Sequence, residues 1–528
     1  MIKNSILITT LGCKVNQYDS GALREIFLAK GFTLSGDSVD GDPEGSDPDV
    51  VIINTCIVSS ESERKSRQAI RKMRARYPKA LLAVVGCYPQ RFPEQVAAIE
   101  GIDFVTGISG HEALAGRIKS FLVDNRALGR RSNAGTRAHT RTRMRTRAYI
   151  KIQDGCDNFC SYCIVPYTRG RARNRTLNSI IGEVEKAVSS GAPEIVLTGI
   201  HISSYCSTEN VLTELPGRKD ATAPGYPYAG ESSSAPGYLY AGESTAAPGD
   251  AYSGIKPDLP DSMSIVSSGC DYRPGDIKLG ELIDIVSKRL RVLSQPQNPV
   301  RLRLSSLEPT VVTPAFVDCL AENRDVLCPH FHLSLQSGSD TVLRRMNRRY
   351  TQARYKEAVS LLRGQFPDAG ITTDVIAGFP GESEAEYSET YRFCREIAFS
   401  KIHVFPYSIR PGTKAADLPD QVAPSIKRDR AGRLIALSDE LSLDFHRGYV
   451  GKDIRVLVEN IKAGYIIGLT GNYIRVRAHA PAARYSPEDS TCGDHVSARG
   501  KYAFIRGRYA SFRVTDATPS HVTGELIL

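Results

Sequence analysis

The sequence lacks an apolar run long enough to span a lipid bilayer, which excludes a transmembrane helix. The first segment, MIKNSILITTLGCK, has too short an apolar part for a signal peptide, and we interpret it as the first strand of a sheet. Hydrophobic residues make up 41% and charged residues 24% of the 528 residues, as in an ordinary soluble protein. We therefore expect a cytoplasmic protein of roughly two to four domains with no membrane partner.

The sequence also lacks the cysteine density of a secreted disulfide framework, because its 12 cysteines are spread over a long chain. In a reducing compartment, clustered cysteines more often bind a metal or take part in chemistry. Cysteines that the fold brings together are therefore the first candidates for a functional site.

The positive charge is small in total, with a net charge of +10, but it is concentrated in two stretches. RAHTRTRMRTRAYIK, from Arg137 to Lys151, contains five arginines, one lysine and no acidic residue. RGRARNR, from Arg169 to Arg175, contains four more arginines. Such stretches suit a polyanion, most commonly a phosphate backbone, although a solvated loop is the alternative.

Residues 1–125 alternate between strand and helix patterns. The predicted strands are continuous apolar runs, which is typical of a parallel sheet covered on both faces: SILITTLGC, DVVIINTC, ALLAVVGC and IDFVTGI. We predict that Asp19 or Ser20 caps the first helix, whose apolar face contains Leu23, Ile26 and Phe27. The pattern indicates an N-terminal open parallel α/β sheet domain.

A basic linker, residues 126–146, precedes a longer βα series over residues 147–447. Its six predicted strands are AYIKIQDGC, EIVLTGI, VRLRLSSLEP, FHLSLQSG, ITTDVIAGFPGE and KIHVFPYS. Six βα units indicate a partial (βα)6 barrel with its chemistry at the carboxyl ends of the strands. Residues 207–273 interrupt the series with a low-complexity repeat, APGYPYAGESSS followed by APGYLYAGESTA, which we interpret as an insertion.

Residues 448–528 change to alternating strand patterns, including DIRVLVEN, YIIGLTGNYIRVRAHA, RYASFRVTD and HVTGELIL. Gly471 and Asn472 are the candidates for a hairpin turn. We predict a small β-barrel, and its arginines and tyrosines make it a plausible nucleic-acid module.

The most specific motif is DGCDNFCSYCIVPYTRG, in which Cys156, Cys160 and Cys163 have the spacing C-x3-C-x2-C. A closed zinc site would need a fourth ligand, and none occurs nearby in the sequence. Three thiolates on a four-iron cluster instead leave one iron open for another ligand. This spacing and the segment TDVIAGFPGE resemble the radical S-adenosylmethionine (SAM) superfamily, in which the open iron binds SAM and an electron from the cluster generates a 5′-deoxyadenosyl radical.

The resemblance also implies which residues contact SAM. Tyr162 matches an aromatic position near the adenine. Five further residues fall where SAM-contacting strands end, with ordinary barrel packing as their alternative: Gly199, Ser334, Gln336, Ile376 and Gly378. We expect no catalytic residue beyond the cluster ligands, because the cofactor performs the hydrogen abstraction.

A second set of three cysteines ends the first three predicted strands. Cys13, Cys56 and Cys87 are each separated by about one βα unit. Neighbouring parallel strands bring such residues to one carboxyl edge, where open α/β sheets bind their ligands. We therefore predict a second iron–sulfur cluster here. The other six cysteines have no such arrangement, and we interpret them as structural: Cys206, Cys270, Cys319, Cys328, Cys394 and Cys492.

Together these features resemble the methylthiotransferases, which combine two [4Fe–4S] clusters and SAM with a C-terminal TRAM domain that binds the substrate. The resemblance implies that the N-terminal cluster holds or relays sulfur, that one SAM methylates the sulfur, and that a second generates the radical. LGCKVNQYDS and RTRAYIKIQDGCDNFCSYCIVPYTRGR look most like the MtaB-type branch, which acts on threonylcarbamoyladenosine (t6A) in tRNA.

Three alternatives remain open. Two keep the chemistry but modify isopentenyladenosine in tRNA or a ribosomal-protein aspartate. The third is a non-catalytic RNA-binding protein whose cysteines bind a structural metal. We expect a monomer with a tRNA substrate, and the sequence identifies neither the electron donor nor the sulfur donor.

Overall fold

The computed structural model describes residues 4–35, 47–127, 146–207, 276–295, 298–462, 464–479 and 505–527. Most of the predicted basic linker and of the predicted repeat insertion lie outside these residues, as do Cys270 and Cys492. No helix in the described ranges is both long enough and apolar enough to cross a membrane.

The N-terminal sheet has five parallel strands in the order β2-β1-β3-β4-β5. Its strands are β1 (Ser5–Thr10), β2 (Thr33–Leu34), β3 (Val50–Thr55), β4 (Leu81–Gly86) and β5 (Phe104–Val105). Its helices are α1 (Lys14–Ala29), α2 (Ser60–Arg76), α3 (Cys87–Arg91), α4 (Pro93–Ala97) and α5 (His111–Ala127). The predicted parallel α/β sheet is therefore confirmed.

The sequence of β3 is a continuous apolar run because its residues alternately face two hydrophobic clusters. Val50 and Ile52 face one hydrophobic cluster, whereas Val51 and Ile53 face another on the opposite side of the sheet. Helices cover both sides, so every residue of the strand is buried.

The predicted start of the first helix is wrong. The helix begins at Lys14 with Cys13 as its N-cap, and no side chain caps it. Asp19 and Ser20 lie inside the helix and are buried. Asp19 pairs with cations of the next domain, an interaction that local sequence does not reveal.

The central region contains six parallel strands, as predicted for a partial barrel, and two short antiparallel pairs that lie between them in the chain. One sheet has the order β12-β9-β6 and another has the order β13-β14-β15, and bridges such as Leu307 to Leu333 connect them. The strands are β6 (Ala148–Lys151), β7 (Gln153–Asp154), β8 (Arg173–Asn174), β9 (Glu194–Thr198), β10 (Cys206–Ser207), β11 (Ile277–Lys278), β12 (Arg301–Leu304), β13 (His330–His332), β14 (Gly370–Ala377) and β15 (Lys401–Pro406). The helices are α6 (Val165–Arg169), α7 (Leu177–Ser189), α8 (Leu279–Leu293), α9 (Pro314–Glu322), α10 (Asp340–Arg345), α11 (Gln352–Gln365), α12 (Glu384–Ile397) and α13 (Pro424–Arg447).

The two faces of this curved sheet differ in polarity. Leu333, Val375 and Ile402 belong to the large hydrophobic core beneath the helices. The alternating residues His332, Asp374 and His403 therefore lie on the inner face. This face is polar and accessible rather than a packed core.

The C-terminal region forms the predicted small barrel, closed in the order β16-β17-β18-β20-β19. Its strands are β16 (Asp453–Lys462), β17 (Tyr465–Thr470), β18 (Arg475–His479), β19 (Tyr509–Ala517) and β20 (Val522–Ile527). Gly471 and Asn472 lie in the turn between β17 and β18, but the left-handed residue there is Tyr473, with φ 76°.

This turn docks the small barrel onto the central strands. Arg303 of β12 donates to the carbonyl oxygens of Gly471 at 2.9 Å and Thr470 at 3.2 Å. The ring of Tyr473 stacks on His330, with 4.2 Å between the ring centroids. These contacts join the C-terminal barrel to the amino ends of the central strands, opposite their carboxyl edge.

Candidate functional site

The three N-terminal cysteines lie at one edge of their sheet, as predicted. Cys13 follows β1, Cys56 follows β3 and Cys87 follows β4, and these three strands are neighbours. All three cysteines line one pocket. The chain leaves β1 toward β2 and returns to β3 on its other side, so the pocket lies at the point where strand order reverses.

Close packing at Gly12 brings the first two cysteines together. A Cβ atom on Gly12 would lie 2.6 Å from Cβ of Cys56 and 3.0 Å from its Sγ. Burial raises the pKa of Cys87 to about 12 and also raises the pKa of Cys56. These thiols are protonated when free, so metal binding there must release protons.

The C-x3-C-x2-C loop leaves β7 at a position that only glycine tolerates. Gly155 has φ 72°, and a Cβ atom there would lie 2.0 Å from the carbonyl oxygen of Arg171. Phe159 also has a left-handed backbone, with φ 46°. The Asn347 side chain holds this part of the loop by donating to the carbonyl oxygens of Asn158 and Phe159, both at 3.1 Å.

The loop's three thiols suit an iron–sulfur cluster better than one ion. Burial raises the pKa of Cys156 to about 11 and that of Cys163 to about 12. Cys160, which lies between them in the sequence, is buried. Three thiols at each site match the donor set of a [4Fe–4S] cluster with one open iron.

The six predicted SAM contacts lie near the carboxyl ends of the central strands. Tyr162 and Ile376 pack against the same hydrophobic cluster. Gln336, with φ 67°, accepts a hydrogen bond from the Ile376 amide at 2.9 Å, which places these two residues side by side. Their contact with SAM stays a prediction.

The other three of these residues have structural contacts of their own. Ser334 accepts a hydrogen bond on its carbonyl oxygen from the hydroxyl of Tyr350 at 2.6 Å. Gly378 follows β14 with φ 74° and lies against Lys427. Gly199 follows β9 and packs on Gln153.

Sequence reasoning missed a charged cluster beside the cysteine loop. Glu308 accepts hydrogen bonds from Asn158 at 3.0 Å and pairs with His201 at 3.0 Å and with Arg348 at 2.9 Å. Burial alone would raise the pKa of Glu308, but His201 and Arg348 outweigh burial and lower it to about 2. The available signal was the carboxylate near the end of the predicted strand VRLRLSSLEP, whereas no local sequence pattern identifies Arg348 or His201.

The inner face of the central barrel carries a second polar group. His332 lies 3.2 Å from the Asp374 carboxylate, and its ring centroid is 5.9 Å from that of His403. His403 is exposed. Lys14, the residue after Cys13, interacts electrostatically with Asp374 and with Arg303. Burial, with the charges of Arg303 and Arg147, lowers the pKa of Lys14 to about 8, against the attraction of Glu194 and Asp374.

The predicted basic stretch from Arg169 to Arg175 is only partly available to a polyanion. Arg169 is buried in ion pairs, and Arg175 pairs with Glu183. Arg171 and Arg173 are exposed, and Arg171 pairs with Asp157 at 2.8 Å. In the other stretch, Arg147 is half-buried and pairs with acidic residues, whereas residues 137–145 lie outside the described ranges.

The C-terminal barrel has an additional basic face on β18. Arg475, Arg477 and His479 alternate with buried residues and are exposed. The Arg477 guanidinium lies 3.7 Å from the ring centroid of Tyr465, and His479 packs on the same ring. Cations next to an aromatic ring suit single-stranded RNA.

Four cysteines outside the two sets have ordinary surroundings. Cys319 donates to the carbonyl oxygen of Gly280, and Cys394 is in the hydrophobic core. Cys206 and Cys328 are buried, and each lies near one carboxylate. Their predicted structural role stays a prediction.

Two family models match the chain. The Uncharacterized protein family UPF0004 matches residues 5–107, which contain the first cysteine set. The Radical SAM superfamily matches residues 150–223 and 264–394, which contain the second set. The boundary between the two matches lies at the predicted basic linker.

Curated relatives match this chain over most of both lengths. The chain is 32% identical over 483 residues to the Threonylcarbamoyladenosine tRNA methylthiotransferase MtaB of Bacillus subtilis (strain 168), covering 89% of this chain and 90% of that protein. It is 30% identical to the MtaB of Aquifex aeolicus (strain VF5), covering 89% and 96%. It is 29% identical to the tRNA-2-methylthio-N(6)-dimethylallyladenosine synthase of Pelotomaculum thermopropionicum (strain DSM 13744 / JCM 10971 / SI), covering 87% and 88%. The chain therefore belongs to the radical SAM tRNA methylthiotransferases, a family of transferases that use [4Fe–4S] clusters and SAM.

Proposed function

We propose that this enzyme converts t6A next to the anticodon of tRNA to its 2-methylthio derivative, using two [4Fe–4S] clusters. Cys156, Cys160 and Cys163 would hold the cluster that binds SAM. Cys13, Cys56 and Cys87 would hold the other. When bound, the first cluster and SAM supply the radical chemistry.

The chain's own residues near the C-x3-C-x2-C loop suit the amino-acid end of SAM. This end carries an ammonium and a carboxylate, and Glu308 and Arg348 supply the opposite charges next to the loop. Both groups are buried or half-buried, so their interactions are weakly screened by solvent. Tyr162, Ile376 and Gln336 lie at the same edge and would surround the rest of SAM.

The polar inner face of the barrel is the observation that favours t6A over an isoprenoid-modified adenosine. A threonylcarbamoyl group carries a carboxylate, a hydroxyl and amide hydrogens, whereas a dimethylallyl group is apolar. The ammonium of Lys14 could receive the carboxylate, and His332, Asp374 and His403 offer hydrogen bonds. An apolar chain against this face would take its polar atoms away from water, at a cost of about 1–3 kcal/mol for each atom that has no hydrogen-bond partner.

The tRNA is expected to bind along exposed basic surfaces. Arg475 and Arg477 on β18, with Arg171 and Arg173 near the cysteine loop, are the described candidates. Phosphate contacts of this kind position the RNA without reading its sequence. The tRNA substrate also supports the expected cytoplasmic location.

Mass spectrometry of tRNA nucleosides tests the substrate. Cells without the gene should accumulate t6A and lose methylthio-t6A, and wild-type protein should restore it while Cys156→Ala should not. A matched Cys394→Ala variant, which changes a core thiol, should restore it as well. Unchanged methylthio-t6A would contradict the proposal. Loss of a methylthiolated isopentenyladenosine, or of a methylthiolated ribosomal protein, would support the corresponding family alternative.

Anaerobic reconstitution tests the two-cluster assignment. The wild-type protein should bind about eight irons, and a variant with Cys13, Cys56 and Cys87 replaced by alanine should bind about four. A colourless zinc protein that does not cleave SAM would instead support the non-catalytic RNA-binding alternative.

A further inference from the structure

Arg169, the last residue of α6, reaches from the radical SAM domain into the interface with the N-terminal domain. The residue is 3% exposed and lines the three-cysteine pocket. Its Nη1 donates to both carboxylate oxygens of Asp154 at 3.1 Å. Its Nη2 donates to Oδ1 of Asn16 at 2.9 Å and to Oδ2 of Asp19 at 3.1 Å. One guanidinium thus connects both domains at the pocket wall.

Asn16 lies between this guanidinium and two of the cysteines. Its Nδ2 donates to the carbonyl oxygens of Leu11 and Thr55, both at 2.9 Å, which fixes the orientation of the amide. Its Oδ1 consequently points into the pocket, 3.7 Å from Sγ of Cys13 and 3.8 Å from Sγ of Cys87. The positive charge of Arg169 is therefore one amide group away from two of the three thiols.

Lys151 is a second cation that pairs with the carboxylates of Asp19 and Asp154. Its ammonium lies 2.8 Å from Asp19 and 3.0 Å from Asp154, so two cations face two carboxylates in a buried group. Arg169 lines the cysteine pocket, whereas Lys151 does not. The two cations therefore make the same contribution to the net charge of the group but differ in their distance from the cysteines.

We propose that Arg169 is a positioning residue through which the radical SAM domain raises the reduction potential of the cluster bound by Cys13, Cys56 and Cys87. The inference rests on the proposed function, because it requires a cluster in this pocket. Reduction adds one electron and hence one negative charge to the cluster. A buried cation nearby stabilises the reduced form more than the oxidised form, and hydrogen bonding and net charge are known determinants of cluster potentials.

The experiment isolates this cluster in the full-length chain. Cys156, Cys160 and Cys163 are replaced by alanine, so only the N-terminal cluster forms. Its midpoint potential is measured by a dithionite titration followed by electron paramagnetic resonance. Arg169→Gln in this background should lower the potential, because two carboxylates then face one cation beside the cysteines.

Lys151→Gln is the matched control, since it removes one positive charge from the same group of side chains. Its potential should fall less than that of Arg169→Gln, because Lys151 lies outside the pocket wall. An unchanged potential in Arg169→Gln, or equal shifts in the two variants, would overturn the proposal.

A second variant covers the case in which Arg169→Gln does not fold. Arg169→Lys keeps the buried charge but lacks the fork that reaches Asn16 and both carboxylates together. Its potential should lie below that of the parent protein, because the shorter lysine side chain holds its charge farther from the cysteines, and a parental value would overturn the proposal. If the parent itself shows no cluster signal, the proposed N-terminal cluster is wrong, and this inference falls with it.

Discussion

The Nη1 atom of Arg348 lies 3.2 Å from Sγ of Cys160, the middle cysteine of the C-x3-C-x2-C loop. Arg348 also donates from Nε to the hydroxyl of Tyr350 at 3.0 Å and pairs with Glu308. Its guanidinium therefore joins the cysteine loop to the carboxylate that we assign to the amino-acid end of SAM.

Replacing Arg348 with methionine should impair the barrel cluster and SAM binding together. The variant leaves a buried carboxylate with one cation fewer and removes a donor to a cluster ligand. Loss of such an outer-shell partner typically costs about tenfold to a hundredfold in metal affinity or activity. Formation of 5′-deoxyadenosine from SAM, quantified by chromatography, measures the loss. Arg344→Met, on an exposed residue of α10, is the control, and equal rates in the two variants would refute the assignment.

Replacing Lys14 with methionine should weaken recognition of t6A. A hydrogen bond to a charged group contributes about 1.5–3 kcal/mol, so kcat/KM for t6A-containing tRNA should fall about tenfold to a hundredfold. Binding of the same tRNA without the threonylcarbamoyl group should change much less. Lys30→Met, after the other end of α1, is the control, because Lys30 pairs with Glu112 away from the barrel. If both tRNAs respond equally to Lys14→Met, the residue does not recognise the carboxylate.

Removing both Arg475 and Arg477 should weaken binding of all tRNAs to a similar extent. Each lost phosphate contact should also reduce the salt dependence of binding, by about one in the slope of log affinity against log salt. Filter binding at several salt concentrations measures both effects. Arg513→Ala is the matched control, since this exposed arginine of the same barrel already pairs with Asp453. A double variant with unaltered affinity would show that the β18 face does not contact tRNA.

Glu194 should make the fold sensitive to acid. Its carboxylate accepts hydrogen bonds from Arg303 and from Arg147, both at 2.7 Å. Burial alone would raise the pKa of Glu194, but the two arginines outweigh burial and lower it from 4.5 to about 2. Because the folded-state pKa is the lower one, the ionised carboxylate stabilises the fold above pH 4.5. This contribution, about 3 kcal/mol, is lost as the pH falls toward 2.

The variant Glu194→Gln separates this effect from general acid unfolding. At pH 7 it should be less stable than the wild type by several kcal/mol, because Arg303 stays buried without a carboxylate and Arg147 keeps only Glu459. The difference should shrink as the pH falls below 4.5. Urea unfolding of the cluster-free proteins, followed by circular dichroism, measures both values. A difference that is independent of pH would contradict the assigned pKa.

The strands and the cysteine edges could be predicted because they depend on local patterns. Apolar runs such as VVIINT identify strands buried on both faces, and parallel strands must end at a common edge. The positions of Cys13, Cys56 and Cys87 at that edge follow from their places after three neighbouring parallel strands. The start of α1 could not be predicted in the same way, because Asp19 resembles a helix cap in sequence but serves an ion pair with Lys151 and Arg169.

The arginines show most clearly what local sequence leaves open. By itself, the sequence determined the three-region architecture, the three cysteines at strand ends and the three cysteines of the C-x3-C-x2-C loop, since each depends on a short stretch of chain. Only the tertiary structure decided that Arg171 faces solvent while Arg169 is buried beside the cysteine pocket. The physical reason is that a buried arginine requires carboxylates, and those of Asp19 and Asp154 come from two different domains.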